Sequence, residues 1–233
     1  MVKSLVKRVL HSLIGFHSYL VLHAVFVAMT LRFRSQEGAV IEFIRRLPRN
    51  ATVLDVGTNV GSMSLLFAWK AKNGQVIGFE PIPENYRAAS GLLQFFRIKN
   101  VCLHPFGLGE RNEDVQMVMP NDRHGVRLEG LSHVVDADRA AGVGTSYTVP
   151  LRRLDEVVNG TKVDAIKIDV EDHERFVLRG GMHVIERDHP MIYAELYSAD
   201  NRAECLRVLS KLGYRTVTPA GNVNVLFLPA GMA

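Results

Sequence analysis

The stretch Val53-Leu-Asp-Val-Gly-Thr-Asn-Val-Gly-Ser-Met-Ser-Leu-Leu-Phe-Ala68 constrains this chain more than any other. Val53, Leu54 and Val56 supply a short buried strand in which Asp55 is the one ionisable side chain. Gly57 and Gly61 bracket a tight turn, where missing side chains let backbone N–H groups come close to a ligand. From Ser62 onward, Met63, Leu65, Leu66, Phe67 and Trp69 continue as an apolar helix that can pack back on a sheet. Strand, glycine turn and helix in this order make a nucleotide-shaped pocket in an α/β domain.

The spacing narrows the nucleotide. A dinucleotide turn reads G-x-G-x-x-G, but here Asn59 stands where the middle glycine belongs. No Lys followed by Ser or Thr comes after Gly61, so a Walker-type phosphate loop is excluded. A second acid, Glu80, ends the next strand, Gln75-Val-Ile-Gly-Phe-Glu80, where a carboxylate can accept both hydroxyls of a ribose. Asp55 suits a ligand with an amine or a positive centre better than one with a pyrophosphate. Acid-x-Gly-x-x-x-Gly followed by an acid at the second strand tip resembles the donor site of S-adenosylmethionine methyltransferases. Thr58 and Pro81 flank these positions and belong to the same candidate site.

At 233 residues, with 47% hydrophobic and 22% charged residues, the chain is expected to form one folded domain. Cys102 and Cys205 fit no metal or redox spacing, which predicts two buried thiols and a reducing, cytoplasmic compartment. Residues 1–50 hold eight Lys or Arg against two Glu, a net +6, which leaves 20 basic and 22 acidic residues for the rest, a net −2. The body lacks the basic surface that a nucleic-acid backbone demands, so nucleic acid is not expected as a partner.

Residues 1–36 read as a separate, basic and apolar helical segment ahead of a body spanning 37–233. Val9 to Leu31 contains no Asp, Glu, Lys or Arg over 23 residues, enough to cross a bilayer. Lys3, Lys7 and Arg8 precede it, and Arg32 and Arg34 follow, so no inside face stands out. His11, His17 and His23 sit six apart and point three different ways on a helix, which is no metal site. No small-residue cleavage site follows. Three readings stay open: a helix on the membrane surface, a spanning anchor, or a helix buried against the body or a second subunit. The oligomeric state is not legible.

Further on, a helix over 37–47 stops at Pro48, and Pro83 opens the helix that follows Glu80. Val101 to His104 is a third strand with the Gly107-Leu-Gly109 turn at its tip, which places Gly107 beside a bound base. Residues 110–150 are glycine-punctuated and predict a lid or a peripheral hairpin over the acceptor side, with His124, Arg127 and His133 as candidate contacts. Met191 to Leu196 is a strand that brings Glu195 and Tyr197 to the pocket edge, and a hairpin over 214–228 closes the sheet.

The second stretch with chemistry is Val163-Asp-Ala-Ile-Lys-Ile-Asp-Val-Glu-Asp-His-Glu174. Asp169, Glu171, Asp172, His173 and Glu174 gather at a strand tip and the next helix start, where open α/β sheets bind ligands. Asp172 reads as a helix N-cap, Glu174 as a favourable charge at a helix start, and His173 as an exposed first-turn residue. Consecutive positions on such a turn cannot all converge on one ion, so no metal is expected. Asp169 and Glu171 are the candidate bases, with His173 third. Lys167 is expected to alternate away from the face of Asp169.

Val53 to Ser62, Gly78-Phe-Glu-Pro81, Leu154-Asp-Glu156 and Ile166 to Glu174 together resemble the FkbM family of S-adenosylmethionine-dependent methyltransferases, in order over residues 37–200. The resemblance implies a class I, Rossmann-like, mostly parallel seven-stranded sheet with an antiparallel C-terminal strand and helices on both faces. It implies methyl transfer to a hydroxyl of a sugar, glycolipid or other natural product. It places Asp55, Gly57, Asn59 and Gly61 around the donor's methionine portion, Glu80 on its ribose, and Asp169 and Glu171 near the reaction centre. One departure is plain, because the family usually has glycine where this chain has Asp172. Two rivals remain from other classes. An NAD(P)-dependent oxidoreductase is disfavoured by Asn59, and a silent membrane-associated binding module is disfavoured by intact Asp55, Gly57, Gly61 and Glu80.

Overall fold

A computed structural model describes residues 18–27, 29–30, 38–121, 131–135, 144–219 and 221–232. The central strands are buried on both faces, as expected of a parallel sheet covered by helices. β1 (Thr52–Val56), β2 (Gln75–Phe79), β3 (Val101–His104), β8 (Ala165–Ile168) and β9 (Met191–Glu195) run parallel. β10 (Tyr214–Thr216) and β11 (Asn224–Pro229) complete a seven-stranded sheet in the order β10-β11-β9-β8-β1-β2-β3. β11 is antiparallel to both of its neighbours. The order reverses between β1 and β8, so the crevice lies at the tips of these two strands.

Strand alternation sorts the side chains into two layers. Leu54, Val56, Ile166, Ile168, Ile192 and Ala194 face one core, with Leu178, Ile185 and Leu209 from α6 (Glu174–Gly180), α7 (Met182–Asp188) and α8 (Ala199–Lys211). Val53, Ala165, Met191 and Tyr193 face the other, against α2 (Gly38–Arg46) and α3 (Ser62–Lys70). Asp55 and Lys167 share that second face by the same alternation, side by side in the β1–β8 register. Residues 167 and 169 are two apart and share a face as well, so the expectation that Lys167 turns away from Asp169 was an error of parity.

Helix α1 (residues 18–27) adds a further layer. Leu20 and Ala24 are fully buried with Val60 and Leu65, and with Ala88, Leu92 and Leu93 of α4 (Pro83–Phe95). Among the described residues no helix is long and apolar enough to cross a membrane.

Four strands within 107–121, 131–135 and 144–152 build a second sheet where the sequence predicts a lid or a peripheral hairpin. β5 (Glu113–Pro120) pairs with β7 (Gly144–Arg152), and the short β4 (Gly107–Leu108) and β6 (His133–Val134) flank them. Gly107 is thus strand, not turn. Met117, Met119 and Val149 pack on Ile82 at the start of α4, and Tyr147 Oη donates to Glu84 Oε1 at 2.9 Å. A short helix, α5 (Leu154–Val157), returns the chain to the main sheet. His124 and Arg127 lie outside the described residues. Cys205 is buried as expected, but Cys102 is exposed on the edge strand β3.

Candidate active site

The turn after β1 is wound tighter than its glycines alone suggest. The Gly57 and Thr58 amides both donate to Phe79 O, at 3.1 and 3.0 Å. The Asn59 amide donates to Glu80 Oε2 at 2.7 Å, and the Gly61 amide to Thr58 O at 3.0 Å. These four N–H groups therefore point into the protein, which corrects the expectation that the turn's backbone N–H groups come close to a ligand. None of them is available to a phosphate.

The glycines serve close packing instead. Gly57 has φ 78°, and a Cβ there would collide with the carbonyl oxygen of Asp169. Gly61 has φ 88°, and a Cβ would press on Ala89 of α4 at 3.0 Å. L-residues with side chains rarely adopt either conformation. Gly57 is what lets the tips of β1 and β8 meet.

Glu80 is fixed at the β2 tip. Its Oε1 accepts from the Ile82 amide at 2.9 Å and its Oε2 from Asn59, with Asn85 adding a side-chain hydrogen bond. Burial pushes its carboxyl up to about 7 in spite of these donors. Asn59 Oδ1 is buried with no hydrogen-bond partner.

Between β1 and β8 lies a buried ionic cluster. Lys167 Nζ sits 3.3 Å from both Asp55 Oδ1 and Asp169 Oδ2, and donates to Gly57 O at 2.6 Å. Ser64 Oγ donates to Asp55 Oδ2 at 2.5 Å. Burial pulls the Lys167 ammonium down, but Asp169 and Asp55 outweigh it and hold the group above the ordinary lysine value, so it stays charged. Burial raises the Asp55 carboxyl against the pull of Lys167 and Ser64. Glu195, at the β9 tip on the same face, is hydrogen-bonded to Asp169 and accepts from Tyr197 Oη at 2.9 Å. Burial first, then the Asp169 charge, push Glu195 up to about 8, so this carboxyl keeps its proton at neutral pH. One lysine thus faces three carboxyls, of which burial raises two, Asp55 and Glu195.

The turn after β8 is braced by α8. Glu171 and Asp172 have φ 52° and 72°. Asp172 Oδ1 accepts from the Ser198 amide at 2.9 Å, so it ties the turn to α8 and does not cap α6. Buried Glu174 accepts from the Val170 amide at 2.9 Å and from Asn201 Nδ2 at 2.5 Å, and burial raises it to about 7. It stands in the first turn of α6, as expected, and is also a buried anchor within the turn.

A cleft between these parts is lined by Gly57, Asn59, Glu80, Pro81, Asp169 and Glu171, with Asn85, Met117, Ser132 and Val170. Asp55, Thr58 and Gly61 support it from behind. His173 and Gly107 line an adjoining apolar pocket with Phe79, Leu108, Met117 and Leu151, and the His173 ring packs on Phe176 with centroids 4.6 Å apart. His133 is buried in β6 and is absent from the cleft lining. The sequence reading missed Lys167, Ser64 and Asn85. Parity along β8 reveals the first, but only α3 and α4 packing brings in the other two.

The pattern of the methyltransferase FkbM domain matches residues 55–216. The chain is 24% identical to Methyltransferase 1 of Beauveria bassiana over 147 residues, 57% of this chain and 59% of that protein. It is 28% identical to the AMB antimetabolite synthetase AmbE of Pseudomonas aeruginosa over 167 residues, 58% of this chain and 8% of that protein. The chain therefore spans less than two thirds of either curated relative. In structure it is similar to a methyltransferase FkbM from Methylobacillus flagellatus, with TM-score 0.56 and 17% identity over 78% of this chain and 44% of that one. The ribosomal protein L11 methylase of Lactobacillus delbrueckii shares the fold at TM-score 0.50 and 13% identity, over 82% and 76% of the two chains. The oxidoreductase reading falls with these matches. A class I sheet with the FkbM pattern laid along its switch point leaves one assignment: the chain belongs to the FkbM family of S-adenosylmethionine-dependent methyltransferases.

Proposed function

We propose that the chain is an O-methyltransferase acting on a hydroxyl of a sugar, glycolipid or other small natural product. The observation that carries this reading is the Asp169 carboxylate, held by Lys167 and Glu195 in the same cleft as Gly57, Asn59 and Glu80. An alcohol is too weak an acid to lose its proton unaided at neutral pH, so a base must stand within reach of it.

The cleft fits the donor. Asn59 Oδ1, buried and without a partner, is an acceptor waiting for an ammonium or hydroxyl. Glu80 is held rigidly enough to receive the two ribose hydroxyls, and the inward-turned amides suit a ligand without phosphate. Gly57 and Pro81 shape the wall, and Gly107 lines the apolar pocket next to it. Bound there, S-adenosylmethionine supplies a methyl group on a positively charged sulfur.

Asp169 then accepts the hydroxyl proton of the acceptor. Lys167 pairs with that carboxylate at 3.3 Å, and Glu195 hydrogen-bonds to it and orients it. Glu171, on the cleft rim at φ 52°, orients the acceptor. His173 lies one pocket away and contributes shape there. The near-neutral charge of residues 51–233 and the antimetabolite synthetase among the relatives both favour a small acceptor over nucleic acid. Unpaired Cys102 and Cys205 suit the cytoplasm.

An Asp169→Asn, Glu171→Gln double variant tests the reading with labelled donor and a panel of sugar and polyketide alcohols, with amines as controls. It should still gain thermal stability from S-adenosylhomocysteine, while kcat falls by about 10²–10⁴. Wild-type turnover in that variant, or methylation confined to amines, overturns it.

A further inference from the structure

A helix on a protein surface normally turns polar residues outward. α8 obeys, with Arg207, Ser210 and Lys211 exposed opposite buried Asn201, Cys205 and Leu209. α1 does not. Its inner face is apolar, and so is its outer one, where Leu22 and Phe26 are 57% and 60% exposed one turn apart, with Met29, 64% exposed, in the helical pair 29–30 that follows. Two more apolar side chains stand exposed nearby, Trp69 and Phe95. Both contact Phe96, at 5.5 and 5.1 Å between ring centroids, and Phe96 packs in the cluster that holds Leu20 and Ala24.

We propose that this face docks on an anionic lipid surface. Charge complementarity selects the occupant. Lys3, Lys7 and Arg8 precede the uncharged run 9–31 and Arg32 and Arg34 follow it, so the charges that flank the apolar stripe on both sides in sequence are positive, with Glu37 the first acid beyond them. A second copy of this chain would bring like charge to like charge, whereas anionic headgroups meet it with the opposite sign. Exposed Trp and Phe rings are also the side chains that settle at a membrane interface.

The docking face and the cleft share structural parts. Val60, within the turn after β1, packs in the same cluster as Leu20 and Ala24, and Ser62 Oγ donates to Ala24 O at 3.1 Å. α1 thus backs the turn whose Gly57 and Asn59 line the cleft. The proposal does not depend on the hydroxyl acceptor, since it concerns the opposite side of α1.

Flotation of the full chain with vesicles tests it. Wild type should float with phosphatidylcholine vesicles containing phosphatidylglycerol, and on the order of tenfold less with phosphatidylcholine alone or at high salt. A Leu22→Ser, Phe26→Ser variant changes exposed positions only. It should lose on the order of tenfold or more of that binding. Its circular dichroism and its thermal shift with S-adenosylhomocysteine should match wild type. Three results overturn the proposal: equal binding to neutral and anionic vesicles, vesicle binding untouched by the double variant, or a wild-type dimer that the double variant dissociates.

Discussion

The turns after β1 and β8 meet at the same point in the crevice and face the same demand. Each must carry the chain out of a buried strand into a helix while bending through left-handed backbone. The β1 turn meets the demand with glycines at 57 and 61 and with Asn59 at φ 51°, and closes the Gly57 and Thr58 amides onto the backbone of β2. The β8 turn has no glycine at all between Asp169 and Glu174. It places Glu171 and Asp172 in the left-handed region and holds them with side chains, Asp172 on Ser198 and Glu174 on Asn201. A turn made by glycines leaves a local signature in sequence. A turn made by side-chain braces depends on α8, which lies 25 and more residues downstream. Lys167 couples the two, since its ammonium touches Gly57 O on one side and Asp169 on the other.

Removing that coupling should do the most damage. Lys167→Met leaves buried Asp55 with no cation, only the Ser64 hydroxyl donating to its carboxyl and Asp169 still acting on it, a situation that costs about 3–5 kcal/mol. The loss should depend on pH in a definite direction. Burial already raises the Asp55 carboxyl in the wild type, against the opposing pull of Lys167. A carboxyl raised in the native state binds its proton more tightly there than in the unfolded chain, so stability falls as pH rises through the window between the two values. Without Lys167 that window widens. Urea midpoints of the variant and the wild type should converge on acidification and separate as pH rises. A pH-independent difference would mean that the lysine acts through packing alone.

Gly57→Ala attacks the β1 turn directly and should come next, at about 3 kcal/mol from left-handed strain and overpacking combined. The added methyl group strikes backbone, the Asp169 carbonyl, which cannot swing aside as a side chain would. The two strand tips must separate. Chemical denaturation measures the loss, and weaker stabilisation by S-adenosylhomocysteine would show that the crevice itself has opened.

This contrast also explains what was legible in advance. The individual strands of the main sheet could be read as apolar runs punctuated by glycine and proline, whereas their number and the antiparallel β11 were what the family resemblance implied. Glu80 and Asp169 were readable because acids at the tips of apolar strands have few structural excuses. The inward direction of the Gly57 and Thr58 amides was not, because it depends on where Phe79 O sits once β2 has paired, and that of the Asn59 amide depends on the Glu80 carboxylate. Ser64 was unremarkable in an apolar helix until α3 was packed over Asp55. The second sheet escaped because β5 and β7 are separated by 23 residues and neither has a short turn to announce the pairing. His173 looked like a third candidate base beside Asp169 and Glu171, but one more residue of helix start turns it into the apolar pocket with Gly107.

Asp172 offers the finest test of the comparison, because at this position two contributions oppose each other. Glycine there would relieve a left-handed side-chain residue at φ 72°, a gain of about 1–2 kcal/mol. It would also delete the carboxylate that accepts from the Ser198 amide, a loss of about 1–3 kcal/mol. The two should nearly cancel, leaving Asp172→Gly within about 1 kcal/mol of wild type. Asp172→Ala keeps the strain and loses the bond, so it should be the less stable of the two by about 1 kcal/mol in urea denaturation. If alanine proved as stable as glycine, backbone strain would not be what distinguishes this turn from its glycine-built neighbour. The Ser198 bond would then have to be doing something other than holding the bend. Amide exchange at Ser198 decides between these, since the braced amide should exchange slowly in wild type and quickly in both variants.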